Sequence, residues 1–502
     1  MPSPVQHLAL GPLDHLSPPV YPPGSVYFSI KPGVSNQQVF AHLQEGLRRT
    51  FLLVPWLNGK LYRQSPDTTG WRPGQLEIRY SPLTASDLPP SQLRYNELKN
   101  TTTSTYADIK ARGFPLDAFK DEELTWVTYR GVDLDAGAPI VATQANFMPG
   151  ACLLCVCVLH AACDATGMAI FFKMWADQCR ELDSASGASA FVLPKEGWDR
   201  ALLDNIWKAE ATGHSLKSLG PAPWHAVGLD PPGINRSDQP GLSPTPPAVS
   251  THDDDKVMSS RLFYMAPRAF IELRNKCHQE ATADVSGNDA LTALLWRTLT
   301  KARTAARIAK SLPIDLDAQF EIQVPVDARP NFSETTPVPP FYVGNCIYHH
   351  RPTLSLRSLI SEAKDGGCSL GQVAQAIRTS ASTIDHAAMM DGYMILRGLA
   401  DYNHIQRPRY ATLEGNWLMS SMLLVPGDEA SSFGGSLLGN GGRAEGSRPL
   451  MGMRNACKVP ACYVLPRKKS GGIEFIVSMY GDEWPFLLEK GVGFGKFAFL
   501  LA

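Results

Sequence analysis

Two periods alternate along the chain. Near-continuous apolar runs and period-two segments predict strands at 22–30, 57–62, 76–80, 126–129, 140–147 and 153–159. Later strands are predicted at 259–265, 320–326, 418–425, 461–465 and 473–480. Between them the apolar residues recur at helical spacing. Val39, Phe40, Leu43, Leu47 and Phe51 follow Ser35-Asn36 and stop before Pro55. Further helices are predicted at 168–182, 267–279, 290–310, 370–387 and within 485–490, the third of them opened by Ser286-Gly287-Asn288-Asp289. Strands and helices interleave without an internal repeat, which predicts an α/β fold.

The run at 153–159 changes the picture most. Leu153, Leu154, Val156, Val158 and Leu159 read as an inner strand, and His160 stands where it leaves the sheet. An imidazole there suits general-base work, its ordinary pKa lying near 6.5. Asp164 follows at +4 and Gly167 at +7, and His160 is the only histidine with Asp at +4. That spacing alone is a weak signal, equally compatible with a core histidine beside a turn aspartate.

Composition narrows the class. With 502 residues, two or three domains are expected. The net charge of −1 and the lack of a basic stripe argue against a nucleic-acid partner. The N-terminal residues lack a basic, then apolar, secretory pattern, and no apolar run reaches a membrane span. A cytoplasmic protein is expected. Cys152, Cys155, Cys157, Cys163 and Cys179 crowd around His160, but no second ligand pair completes a zinc site, so they read as small buried hydrophobes and no metal is expected. The proline-rich residues 221–257, with Asp253-Asp254-Asp255, read as a crossover linker between a first half, 1–220, and a second, 258–502, with part of 360–415 able to pack on the first half.

Two other motifs are set aside. Gly367-Cys368-Ser369-Leu370-Gly371 has the Gly-x-Ser-x-Gly form, but a polar segment rather than a buried strand precedes Ser369, which fits a helix N-cap. The glycine-rich stretch 434–446 lacks the strand–helix frame of a dinucleotide loop.

Taken together, the segments resemble a fungal branch of the BAHD acyltransferases, the group that includes trichothecene 3-O-acetyltransferases. The resemblance rests on the opening LGPLDHL, on His160 through Gly167, and on Gly287 through Arg297. Val326-Asp327-Ala328-Arg329, Tyr342-Val343-Gly344-Asn345, Asn416-Trp417 and the closing 464–474 hairpin continue it in order. One departure stands out: Ser432-Phe433-Gly434 occupies the place of the family's Asp-Phe-Gly motif, with serine for aspartate. In the family that aspartate is a structural ion-pair partner, expected to face the residue matching Arg329, so its loss puts that pairing in doubt and raises the prospect of weakened or redirected activity.

The resemblance implies two chloramphenicol-acetyltransferase-like domains with a central channel. Acyl-CoA, most simply acetyl-CoA, and a small-molecule acceptor would meet at His160, with the protein acting as a monomer. His160 would be the base and Asp164 an orienting group. Gly167 would keep the pantetheine path open, and Ser286 and Arg303 would lie on the co-substrate. Asn416 or the Trp417 indole would serve the oxyanion. Two other readings remain at this point: a condensation-type catalyst taking acyl groups from a carrier protein, and a non-catalytic small-molecule binder. Leu159, where condensation domains usually carry a second histidine, favours free acyl-CoA over the first. Ser432 keeps the second open.

Overall fold

The computed structural model describes residues 4–84, 87, 89–98, 104–183, 192–231, 257–361, 363–405, 417–425, 431–489 and 493–501. The acidic triplet Asp253-Asp254-Asp255 and Asn416 lie outside the described residues.

The chain is α/β, built as two halves around separate sheets. In the first half a five-stranded sheet runs in the order Gly446–Pro449, Gly24–Ser29, Ala151–Val158, Val141–Met148, Leu93–Glu97. The strand Ala151–Val158 is central and almost wholly buried, so both faces are apolar. Helices Asn36–Leu53 and Ala165–Asp183 pack on one another beside this sheet, sharing a core that includes Val39, Leu43, Phe171 and Trp175. A smaller four-stranded sheet completes this half.

In the second half an eight-stranded sheet has Ile347–His350, Gln319–Asp327, Trp417–Ser421, Ala461–Val464, Ile473–Tyr480 and Met258–Met265 as successive neighbours. The helix Gly287–Ala309 lies against it, and its start follows from the capping box of Ser286 and Asp289. Ser369 likewise caps the helix Leu370–Ala381 by accepting from the Gln372 amide. No strand feeds it, and the elbow reading falls away.

The halves interlock. Residues 431–450 return to the first half, where Phe433 packs against Phe28, Phe172 and Trp175 and Gly446–Pro449 pairs with Gly24–Ser29. A further core joins Leu13, Leu203 and Trp224 to Phe332, Tyr348, Met389 and Tyr393. At about 1.5–3 kcal/mol per fully buried large side chain, this junction strongly resists opening.

Four expectations change. Residues 126–129 form no strand: the Trp126 indole donates to the Thr143 carbonyl at 2.9 Å and Arg94 stacks on its ring, so side-chain contacts hold the segment beside the sheet. The strand expected at 57–62 is shortened to Lys60–Arg63, because Pro55 starts a 3-10 turn over Pro55–Asn58. The helix expected at 370–387 is two helices, Leu370–Ala381 and His386–Gly398, and Asp385 caps the second. Pro221 opens a short helix, Pro221–Ala226, packed on His386–Gly398, so the start of the expected linker is structured.

Candidate active site

The strand Ala151–Val158 delivers its chain into a turn, where the Leu159 amide donates to the Ile140 carbonyl and the His160 amide to the Val20 carbonyl, both at 2.9 Å. The other half then clamps the turn. Asn345 Nδ2 donates to the His160 and Ala161 carbonyls, at 3.1 and 3.2 Å, and to Asp14 Oδ1 at 3.0 Å. Arg200 bonds the Ala162 carbonyl and reaches Asp14 Oδ1 at 3.0 Å. The buried Asp14 carboxylate therefore ties the opening segment, Arg200 and the Asn345 loop to one turn.

Asp164 holds the next point. It precedes the helix Ala165–Asp183, and its Oδ1 accepts the Gly167 amide at 2.9 Å, as an N-cap does. Arg329 Nη2 donates to both Asp164 oxygens at 2.9 Å, and the Cys346 amide donates to Oδ2 at 2.9 Å. Arg329 also donates to Asp327 and to the carbonyls of Tyr342 and Gly344. Both Asp164 and the Arg329 side chain are almost fully buried. A pair this deep gains only if every lone pair and proton is met, and here they are met. Arg329 therefore takes its carboxylates from Asp164 and Asp327, so its pairing does not depend on the residue at 432. Ser432 instead donates to the Gly441 carbonyl at 2.7 Å and accepts from the Gly434 amide, while Phe433 belongs to the first half's core.

Unlike Asp164, the His160 side chain is unsaturated. Its Nδ1 is buried without a partner of ordinary hydrogen-bond geometry. Burial pushes the imidazole below its usual pKa, with Arg454 adding to the effect, while its own carbonyl and Asp164 oppose it. The ring is therefore neutral at pH 7. It lines a cavity of about 1950 Å³ between the halves. Val20, Val158, Thr166 and Phe172 wall it on one side, and Asn288, Gln323, Pro325, His349, Leu418 and Ser420 on the other. Exposed Arg467 and Lys469 stand at its edge.

Several expected site residues are elsewhere. Gly167 does not line the cavity: a Cβ there would lie 2.4 Å from the Val343 carbonyl oxygen, so its smallness serves the contact between halves rather than a ligand. Arg303 is buried under the sheet, paired with Glu483 at 2.7 Å and stacked 4.1 Å from the Trp417 ring centroid, with no route to a co-substrate. Trp417 faces that same core. Alternation along Trp417–Ser421 sends Trp417 and Met419 inward and Leu418 and Ser420 to the cavity, so the indole cannot serve an oxyanion. Ser286 does line the cavity, with its hydroxyl engaged by Asp289 at 2.7 Å. Among the described residues no group of three His, Cys, Asp or Glu could hold a metal, and no helix is long and apolar enough to cross a membrane.

Arg200, Gln323 and His349 were not anticipated. Nothing local marks them, since each acquires its role from a partner or cavity contributed by distant chain.

A neutral histidine at a turn locked by both halves, facing a cavity between two α/β units, defines a transferase of the BAHD acyltransferase class. The chain belongs to the Transferase family, whose model matches residues 116–426, and a trichothecene 3-O-acetyltransferase-like N-terminal domain matches residues 20–179; it is an acyltransferase. It is 26% identical to the acyltransferase BOA11 of Botryotinia fuckeliana, over 93% of this chain and 92% of that one. It is 28% identical to the isocyanide synthase–NRPS hybrid crmA of Aspergillus fumigatus over 96% of its length, but spans only 30% of crmA. The fold matches that of F. sporotrichioides TRI101 complexed with coenzyme A and T-2, with a TM-score of 0.75, 18% identity, and coverage of 99% of this chain and 100% of that one.

Proposed function

We propose that this protein transfers an acyl group, most simply acetyl, from acyl-CoA to a hydroxyl of a small secondary metabolite, with His160 as general base. The observation that carries the proposal is the neutral His160 ring facing the cavity from a turn whose backbone both halves hold. The favourable interaction of the ring with its own backbone carbonyl keeps the proton on Nδ1, which leaves Nε2 bare to face the acceptor. It takes the hydroxyl proton as the oxygen attacks the thioester carbonyl. The tetrahedral adduct collapses with cleavage of the C–S bond, and the proton passes to the departing thiolate. Such base catalysis contributes about 10²–10⁴-fold. Asp164, with Arg329, holds the turn and takes no proton. Exposed Arg467 and Lys469 at the cavity edge suit the phosphates of a CoA. Named relatives that are acyl- or acetyltransferases support the same reading. All ten cysteines are free, in keeping with a cytosolic protein, and we take the monomer to be the working unit.

The test is CoA release from acetyl-CoA by the full chain across a panel of alcohols, with product mass. Acceptor-dependent release that His160→Ala abolishes is expected; release that survives the substitution overturns the base assignment. The likeness to part of a hybrid synthetase favours one second reading, acyl transfer from a carrier-protein thioester. Turnover with a loaded carrier protein and none with free acetyl-CoA would select it.

A further inference from the structure

With Trp417 turned into the core, the oxyanion has no donor from that residue. The cavity face of the second half's sheet offers another. His349 lies on the strand Ile347–His350, directly opposite Pro325 on Gln319–Asp327. Its neighbour Tyr348 points the other way, donating to the Met389 carbonyl at 2.7 Å in the junction core. Alternation thus turns Ile347 and His349 to the cavity, and both line it. His349 Nδ1 is buried without a partner. A neutral imidazole has one proton, and orphan buried N–H groups are rarer than orphan acceptors. The favoured tautomer therefore has a bare Nδ1 and an Nε2–H on the cavity edge. Burial, reinforced by Arg351, His350 and His160, holds this ring's pKa down at about 3, so it donates without carrying charge. His160 lines the same cavity. Gln323, two residues before Pro325 and therefore diagonal to His349 on the same face, has a buried Nε2 that is likewise unpartnered.

We propose that His349 is a second catalytic residue, donating its Nε2–H to the thioester oxygen as that oxygen becomes an oxyanion, with Gln323 as the flanking donor. This rests on the acyl-transfer reading above. It assigns the two halves opposite tasks, with His160 removing the acceptor's proton and His349 stabilising the charge that develops on the donor's carbonyl.

The test is steady-state CoA release from acetyl-CoA by the full chain. His349→Leu should lower kcat by about 10²–10³-fold with KM for both substrates unchanged, the loss expected for one oxyanion donor. His349→Gln, which keeps an N–H donor, should recover part of it. Unchanged kcat, or a loss confined to the acceptor's KM, overturns the proposal. A second measurement needs no turnover: ¹⁵N-histidine NMR, with the signal assigned by its disappearance in His349→Leu. A neutral Nε2–H tautomer between pH 5 and 8 is expected, and an Nδ1–H tautomer or a charged ring overturns the assignment. If His160→Ala is inactive while His349→Leu turns over normally, only this inference fails. If His160→Ala is active, the acyl-transfer base itself is wrong.

Discussion

Asp164 and His160 stand four residues apart in one motif, yet their polar atoms are treated in opposite ways. Each Asp164 oxygen accepts from Arg329, and the Gly167 and Cys346 amides take one oxygen apiece. His160 Nδ1 has no partner of ordinary geometry, and neither do His349 Nδ1, Gln323 Nε2 or the Tyr463 hydroxyl on the facing wall of the same cavity. The saturated end of the motif is architecture, joining the two halves, and the other end turns its ring to the cavity, where the chemistry is left to occur.

The contrast can be broken most forcefully at the ion pair. Arg329→Leu strands the Asp164 carboxylate in the interior, and about 3–5 kcal/mol of stability should be lost by denaturant unfolding. A loss under 1 kcal/mol would show that the pair is not a joint. Acid attacks the other end. His349 and His350 are held by burial at about 3 and about 4, far below the ordinary value near 6.5. In the unfolded chain they bind protons first, so stability should be full above pH 6.5 and fall as the pH drops towards 4. An unfolding midpoint flat from pH 7 to 4.5 would contradict this. Activity should fall over the same direction of pH as His160 protonates, with its midpoint below 6.5 because burial lowers that pKa. Gly167→Ala forces a methyl onto the Val343 carbonyl and should cost about 1–3 kcal/mol in stability. CoA-analogue affinity of the folded variant should be unchanged, since the residue meets protein rather than ligand. The smallest effect is expected from Trp417→Phe. It keeps the ring under Arg303 and removes an indole N–H directed away from the cavity, so turnover should hold; a marked fall in kcat would restore the indole as an oxyanion donor.

Much of this was legible before the fold was seen. The strand into His160 could be read because a strand buried on both faces is apolar at nearly every position. Ser286 and Ser369 could be read as caps because capping is local chemistry. The α/β class followed from the interleaving of the two periods. What could not be read depends on contacts between distant segments. Trp126 looks like a strand residue, yet it is held beside the sheet by Thr143 and Arg94. Trp417 and Arg303 carry suitable chemistry, but strand alternation and the ion pair with Glu483 turn them into the core. Serine at 432 pointed to a missing ion pair only because nothing in the linear order shows Arg329 reaching Asp164. Arg200 and His349 have no surrounding pattern at all, since Arg200 meets Asp14 and Ala162 from distant chain and His349 meets a cavity walled by both halves.

The central claim separates chemistry from architecture within one motif, and the most direct measurement takes His160→Ala and Asp164→Asn side by side, recording kcat for CoA release and the unfolding midpoint of each. The account predicts that His160→Ala loses about 10²–10⁴-fold in kcat with its midpoint unchanged, while Asp164→Asn is chiefly destabilised. A His160→Ala protein with near-normal turnover, or an Asp164→Asn protein as stable as the parent but without activity, would contradict it.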